Sequence, residues 1–381
     1  MTNLENLISK LCSDGVLYSL IADVTFYEQP GKYIVKNTNY NDAFHTPVLT
    51  AGQSFVLGRT NETAGIYEAS KDSPVIIFDD FTGAFKWVDF SFKVKSSALK
   101  ILTSDEKKIC LRYLYHVMGS LGFTSDEHKR LWIATYSQLR IPLPPLPVQR
   151  EIVRILDNFT ELTAELTAEL AARRKQYEHY RDELLTFGDE VPRIPLGEVG
   201  PVCMCKRILK SQTNDVGGVP FYKIGTFGKQ ANAYISKETY EEYRNKYNFP
   251  KKGDILISAA GTIGRTVVYD GEPAYFQDSN IVWVANDETK ILNRFLIHCY
   301  AMKPWYVSTG GTIARLYNDN ILKAVVTVPS LERQKFIVDT LDRFDTLCND
   351  LTSGLPAEIA ARQKQYEYYR DKLLTFKELE G

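Results

Sequence analysis

The run KQYEHYRDELLTF at residues 175–187 returns as KQYEYYRDKLLTF at residues 364–376. Near identity over such a length within one chain marks an internal duplication, and two copies so far apart exclude a solenoid of stacked repeats. Each run closes a longer corresponding stretch. The first is IPLPPLPVQREIVRILDNFTELTAELTAELAARRKQYEHYRDELLTF at 141–187, and the second is VTVPSLERQKFIVDTLDRFDTLCNDLTSGLPAEIAARQKQYEYYRDKLLTF at 326–376. Both read as helices. In the first, Ile152, Leu156, Phe159, Thr163, Leu166, Leu170, Arg173, Tyr177, Tyr180 and Leu184 step by alternating fours and threes, which is a heptad seam. Pro142, Pro144, Pro145 and Pro147 stand just before it, where proline does not damage a helix. A helix over residues 149–187 is about 58 Å long at ~1.5 Å per residue.

The second copy keeps the seam through Ile337, Leu341, Phe344, Cys348, Leu351 and Leu355. It takes an extra step to Ile359 and resumes at Arg362, Tyr366, Tyr369 and Leu373. An insertion of four is a stutter, and Gly354 and Pro356 within it predict a break and restart. One such helix cannot bury its stripe alone. We therefore expect the copies to pair with each other as an intramolecular antiparallel coiled coil, the alternative being that each packs on its own domain. The expected interface draws on Ile152, Leu156, Phe159, Leu166, Leu170 and Tyr177 of the first copy and Ile337, Leu341, Phe344, Leu351 and Tyr366 of the second. Within it, the seam from Leu156 to Leu170 should face the seam from Ile337 to Leu351.

The segments before the helices correspond more weakly, at an offset of 180–182 positions. Val75-Ile76-Ile77-Phe78 matches Ile255-Leu256-Ile257-Ser258, Ser97-Ala98-Leu99 matches Ser279-Asn280-Ile281, and Tyr113-Leu114-Tyr115-His116 matches Phe295-Leu296-Ile297-His298. Short apolar or β-branched runs at 55–57, 75–78, 88–94, 255–258, 266–269 and 281–284 lie between glycines and turn residues and read as strands. Residues 106–118 and 290–302 read as helices. The fold class is therefore mixed α/β: two strand-rich α/β domains separated by two long helices, with a pseudo-two-fold relation. The expected boundaries are a first domain at 1–145, a first helix at 146–190, a second domain at 191–330 and a second helix at 331–381. Helices that stay alike while domains diverge fit one shared job for the helices and different targets for the domains.

The composition, 44% apolar and 24% charged over 381 residues, is that of an ordinary soluble protein. Residues 1–10 do not read as a signal peptide, and no apolar run approaches the roughly 18 residues of a membrane span. The scattered Cys12, Cys110, Cys203, Cys205, Cys299 and Cys348 read as reduced thiols of a cytoplasmic protein. Cys203 and Cys205 read as two strand or loop thiols in preference to a zinc site. The formal net charge of −1 conceals a partition: 0 over residues 1–140, +5 over residues 192–330 and −6 over the rest. Binding responds to local charge, so the second domain keeps the basic balance of a nucleic-acid binder.

The chain resembles the specificity subunits of type I restriction–modification enzymes. The resemblance spans nearly the whole chain. It rests on residues 46–52 and 74–82 in the first domain, and on Gly253-Asp254-Ile255-Leu256-Ile257-Ser258, the Gly261-Thr262-Ile263-Gly264 loop and Gly311-Thr312-Ile313-Ala314-Arg315-Leu316 in the second. The helical copies ending in Tyr-Arg-Asp-x-Leu-Leu-Thr-Phe resemble the family's spacer regions. The resemblance implies two target-recognition domains, two spacer helices in an antiparallel coil and double-stranded DNA as the ligand. It also implies assembly with two methyltransferase (modification) subunits and, for cleavage, two restriction subunits. The subunit would direct those enzymes to a bipartite, asymmetric target without catalysing anything and without a cofactor or metal.

The search for chemistry of its own agrees with that role. There is no Walker A loop, no glycine-rich methyl-donor loop after a strand and no Asn-Pro-Pro-aromatic motif. The five histidines are dispersed, and His116 and His298, at equivalent helix positions, read as packing residues. Asp79 and Asp80 read as a turn, not as the carboxylates of a metal nuclease. In the family context the basic residues worth naming for DNA are Lys32, Lys36, Arg59 and Lys86 in the first domain. In the second they are Lys206, Arg207, Lys210, Arg265 and Arg315, with Thr262 in the glycine loop. The competing functions are a coiled-coil interaction protein that reads no DNA and a fused nuclease or methyltransferase.

Overall fold

The computed structural model describes residues 2–50, 54–123, 129–307 and 314–379. Ala51, Gly52 and His128, and Gly311, Thr312 and Ile313 of the second-domain motif, lie outside the described residues. The chain divides into two units: Met1–Thr167 with Glu358–Gly381, and Ala168–Ala357.

In the first unit β1 (Thr25–Glu28), β2 (Val75–Asp79), β3 (Phe85–Val88) and β4 (Leu99–Ser104) form an antiparallel sheet in the order β1-β4-β2-β3. Helix α1 (Leu111–Ser120) packs on it, and the long helix α2 (Leu146–Leu184) follows further along the chain. The second unit repeats the plan. There β5 (Val202–Cys203), β6 (Ile255–Ser258), β7 (Thr266–Val268) and β8 (Ile281–Val284) form an antiparallel sheet in the order β5-β8-β6-β7. Helix α3 (Asn293–Ala301) packs on that sheet, followed by α4 (Leu331–Asn349) and α5 (Leu355–Leu374). Each unit adds a small sheet with one parallel pairing, Thr46–Leu49 with Lys93–Val94 in the first and Val219–Tyr222 with Tyr275–Phe276 in the second. An antiparallel ribbon leads into each long helix: Leu17–Leu20 with Arg140–Leu143, and Arg193–Pro195 with Val325–Thr327.

The structure shifts the sequence correspondence by one residue. In the first unit Asp79 N–H donates to Ala84 O and Gly83 N–H to Asp79 O; in the second Ser258 N–H donates to Arg265 O and Gly264 N–H to Ser258 O. Asp79 is thus the counterpart of Ser258, and Ile76, not Val75, is the counterpart of Ile255. The faces agree: Ile76 and Phe78 share the core of α1, as Ile255 and Ile257 share that of α3. A slip of one residue exchanges the two faces of a strand. The sequence could not show it because both strands are buried throughout. The run at 88–94 is also not one strand, since β3 ends at Val88 and Lys93–Val94 belongs to the other sheet.

The domain helices start later than their apolar runs, at Leu111 and Asn293, for the same reason in both units. A buried glutamine of the long helix caps the turn before each. Gln149 Oε1 accepts from Cys110 N–H (2.8 Å), and Gln149 Nε2 donates to the Lys108 and Pro144 carbonyls. Gln334 Oε1 accepts from Leu292 N–H (2.9 Å), and Gln334 Nε2 donates to the Lys290 and Pro329 carbonyls. Both amides are fully buried, and their bonds offset the desolvation of the polar atoms.

Each helical copy, the second one divided into α4 and α5, packs in two places. Its start lies on its own domain: Val148, Ile152 and Leu156 share the first unit's core with α1, and Ile337, Val338 and Leu341 share the second unit's core with α3. Its end lies on the other copy's domain. Tyr366, Tyr369, Leu373 and Leu374 join the first core, while Tyr177, Leu184, Leu185 and Phe187 join the second. The near-identical runs at 175–187 and 364–376 therefore meet equivalent surfaces.

This arrangement corrects the expected seam register. Phe159 stacks on Tyr369 at 5.3 Å, and Phe344 meets Tyr180 at 5.5 Å. In the second unit the Arg174 guanidinium also reaches the Cys348 carbonyl at 3.5 Å, so the segments run in opposite directions. Antiparallel neighbours pair the start of one copy with the end of the other. Leu156 and Phe159 therefore face the tyrosines of the second copy and not Ile337 and Leu341. Leu351 leaves the interface altogether: α4 ends at Asn349, and Leu351 is 80% exposed in the turn before α5. Leu166 and Leu170 are half-buried.

A buried histidine joins three elements in each unit. His116 on α1 approaches Asp157 Oδ1 through Nε2 (2.8 Å) and the Tyr366 hydroxyl through Nδ1 (3.2 Å), while Arg112 Nε donates to the same carboxylate (2.8 Å). His298 on α3 approaches Asp342 Oδ1 through Nε2 (3.1 Å) and the Tyr177 hydroxyl through Nδ1 (3.4 Å), with Arg294 paired to Asp342. In a neutral ring this network has Nε2–H donating to the carboxylate and Nδ1 accepting from the tyrosine. The two histidines are packing residues, as expected, and also the centre of a clasp between a domain and both helix copies.

Candidate nucleic-acid interface

One end of the second unit's main sheet gathers four segments. Beyond β5 the chain continues through Met204 to Arg207; beyond β6 comes the glycine loop; the turn at 277–280 precedes β8; and Arg315-Leu316-Tyr317 closes the group. Backbone bonds hold them together. Ala259 N–H donates to Asn280 O (2.8 Å), and Leu316 N–H donates to Ala259 O (2.9 Å). The buried Ser258 hydroxyl bridges the loop, accepting from Arg265 N–H (2.9 Å) and donating to Thr262 O. Gly261 and Gly264 have φ of +64° and +76°, a region that side chains disfavour. The glycine loop is thus a turn with a conformational demand.

Arg207, Thr262, Arg265 and Arg315 are all brought to this end. Arg207 is exposed and pairs loosely with Asp278 (3.4 Å), while Arg315 donates to the Ser279 carbonyl (2.6 Å). Ser279 carries a φ of 60° without being glycine, and such strain collects at binding surfaces. Lys210 lines a recess with Arg207, Lys223 and Gln277. Lys206 lies over the Tyr247 ring at 5.2 Å. Arg265 is half-buried and spends one donor on the Phe227 carbonyl (3.0 Å).

The first unit's named residues are less concentrated. Lys32 pairs with Glu28 (2.8 Å), Arg59 donates to the His45 carbonyl (2.8 Å), and Lys36 is exposed beside them in chain order. Lys86 is exposed on β3, in the other sheet. Asp79 Oδ1 accepts from Phe81 N–H (2.9 Å), and Asp80 pairs with the buried Lys100 (2.7 Å) and accepts from Trp132 N–H (2.8 Å). Both carboxylates are thereby engaged, and no cluster of three metal-ligating side chains occurs among the described residues. Cys203 lies on β5, and burial pushes the Cys205 thiol up to about 12.

The structure adds two basic residues missed in the sequence. Lys223 lies in the recess of Arg207. Arg130 is the other. Asp80 N–H donates to Ala98 O (2.9 Å) and Leu131 N–H donates to Asp80 O (2.8 Å), the same pair of bonds that Ala259 and Leu316 make. Arg130 therefore stands in the first unit where Arg315 stands in the second. The signal was present: Arg130-Leu131-Trp132 and Arg315-Leu316-Tyr317 are separated by the same interval as Gln149 and Gln334.

A family model for the type I restriction modification DNA specificity domain matches residues 19–173 and again 189–361. A type I restriction enzyme specificity subunit of Haemophilus influenzae is 53% identical over 287 residues, covering 72% of this chain and 74% of its own length. The EcoR124I/EcoR124II specificity subunit of Escherichia coli is 40% identical over 402 residues, covering 99% of this chain and 97% of its own. Among solved structures, the S subunit of a type I restriction–modification system from M. genitalium superposes with a TM-score of 0.61 at 14% identity, over 94% of this chain and 96% of that one. A chain from a study of complex assembly in the type I system gives 0.56 at 16% identity, over 94% and 97%. These two likenesses concern the fold.

Proposed function

Because this chain belongs to the type I restriction–modification DNA specificity family, whose role is DNA target recognition, we propose that it reads a bipartite, asymmetric target, one block per domain. The observation that carries this reading is the duplicated sheet end, built on one backbone frame in both units but furnished with different side chains. A shared frame gives two domains the same way of meeting a duplex, and different furniture gives them different blocks.

In the second domain Lys206, Arg207, Lys210, Thr262, Arg265 and Arg315 would face the DNA, and in the first Lys32, Lys36, Arg59 and Lys86. The recognition domains would occupy 1–145 and 191–330, and the spacer helices 146–190 and 331–381, the latter paired as an intramolecular antiparallel coiled coil. Methylation and cleavage would reside in partner subunits, two for modification and two for restriction, assembled in the cytoplasm. Expressing the chain with its modification subunit and mapping methylated sites by long-read sequencing tests the reading. Two different short blocks around unspecified bases are expected. A single contiguous target, or none, would overturn it.

A further inference from the structure

We infer that Arg130 and Arg315 are a matched pair of sequence-independent phosphate contacts, one in each domain; the inference rests on the DNA-reading role above. Both occupy the residue before the leucine whose N–H closes the sheet end, on Asp80 O in one unit and Ala259 O in the other. Their internal partners differ. Arg130 lies 3.6 Å from the Asp80 carboxylate and 6.0 Å from the Phe81 ring centre, whereas Arg315 donates to the Ser279 carbonyl. Among the described residues, no common internal contact therefore accounts for arginine at both places. Asp80 does not need Arg130 either, because the buried Lys100 already pairs with it at 2.7 Å. The Arg130 side chain is 55% exposed, which leaves guanidinium donors directed to solvent.

Two domains that read different blocks share a side chain only where the task is common to both. On a duplex the common element is the phosphate backbone, which positions a protein without specifying sequence. The planar guanidinium suits it, since it can grip a phosphate with paired donors. Arg207, Lys210 and Lys223 line one recess of the second domain and are left for reading bases.

The test uses the full chain assembled with its modification subunit and measures duplex binding across a salt series for Arg130→Ala, Arg315→Ala and the two lysine variants. Each alanine variant should weaken target and non-target duplexes by the same factor, about tenfold. Each should also reduce the slope of log affinity against log salt by about one. The lysine variants should keep the slope, and the methylated sequence should be unchanged throughout. A changed base within one block, unequal losses on the two duplexes, an unaltered slope, or no loss of affinity would overturn the inference. Absence of site-specific methylation in the unmodified complex would instead sink the recognition role itself.

Discussion

His298 shows how a single ring ties chemistry to architecture. Burial holds its imidazole below the ordinary range, more than the adjacent Asp342 and Asp345 raise it, and Arg294 adds to the lowering. The folded ring is therefore neutral where an unfolded one begins to take up a proton, near 6.5. A group kept neutral by folding contributes stability that is complete above the unfolded value and is lost as pH falls through the folded one. In the first unit, burial would raise the Asp157 carboxyl, but the hydrogen bond from His116 and the charge of Arg112 hold it below the usual range. That contribution disappears only in stronger acid. Denaturant midpoints measured between pH 7.5 and 5 should fall as the pH drops below about 6.5, and His298→Gln should flatten that fall. A midpoint that does not change over this interval, or an equal fall in the variant, would separate His298 from the effect.

At the scale of the element, Leu156 and Leu351 make the informative contrast, because the sequence places them in the two facing seams of one expected interface. Leu156 is fully buried among α1 and the tyrosines of α5, whereas Leu351 lies in the turn. Leu156→Ala should cost about 2–5 kcal/mol, the usual range for a core leucine. Leu351→Ala should stay within about 0.5 kcal/mol, as exposed substitutions do. Urea unfolding of the two variants checks this, and equal losses would return Leu351 to the interface. The helices were legible because the heptad pattern and the tandem copies speak for themselves. Their pairing was not: a seam shows that a helix has a partner, while Phe159 on Tyr369 reveals which end of that partner it meets. The strands were legible in existence but not in register, since Ile76 and Val75 are both apolar and both buried. At the sheet end, Arg207, Thr262, Arg265 and Arg315 converge from distant positions; charge singled out the arginines and the glycine loop singled out Thr262, while their convergence is a matter of fold. Arg130 was legible only in its interval of 185 positions from Arg315, the interval from Gln149 to Gln334, and the backbone bond from Leu131 to Asp80 gives that interval its meaning.

For the whole molecule, α2 is the element to perturb, since its 39 residues continue from those of the first unit into those of the second. Replacing residues 192–325 with the matching domain of a relative should change one block of the target and leave the other block and the spacer alone. A change in both blocks would contradict their independence. Altering the helix should do the reverse. Four residues inserted after Leu166 add about 6 Å and turn the downstream seam by roughly 400°, only about 40° from its original face at ~100° per residue. Tyr177, Leu184 and Leu185 could then still reach the second core, and the spacer should lengthen by one or two base pairs at roughly 3.4 Å each. Two inserted residues turn the seam by about 200°, placing those side chains on the opposite face, and should abolish assembly. Mapping methylated sites for the two insertions separates the possibilities. A spacer unchanged by the insertion of four would show that helix length does not set it, and a functional insertion of two would show that the seam does not matter.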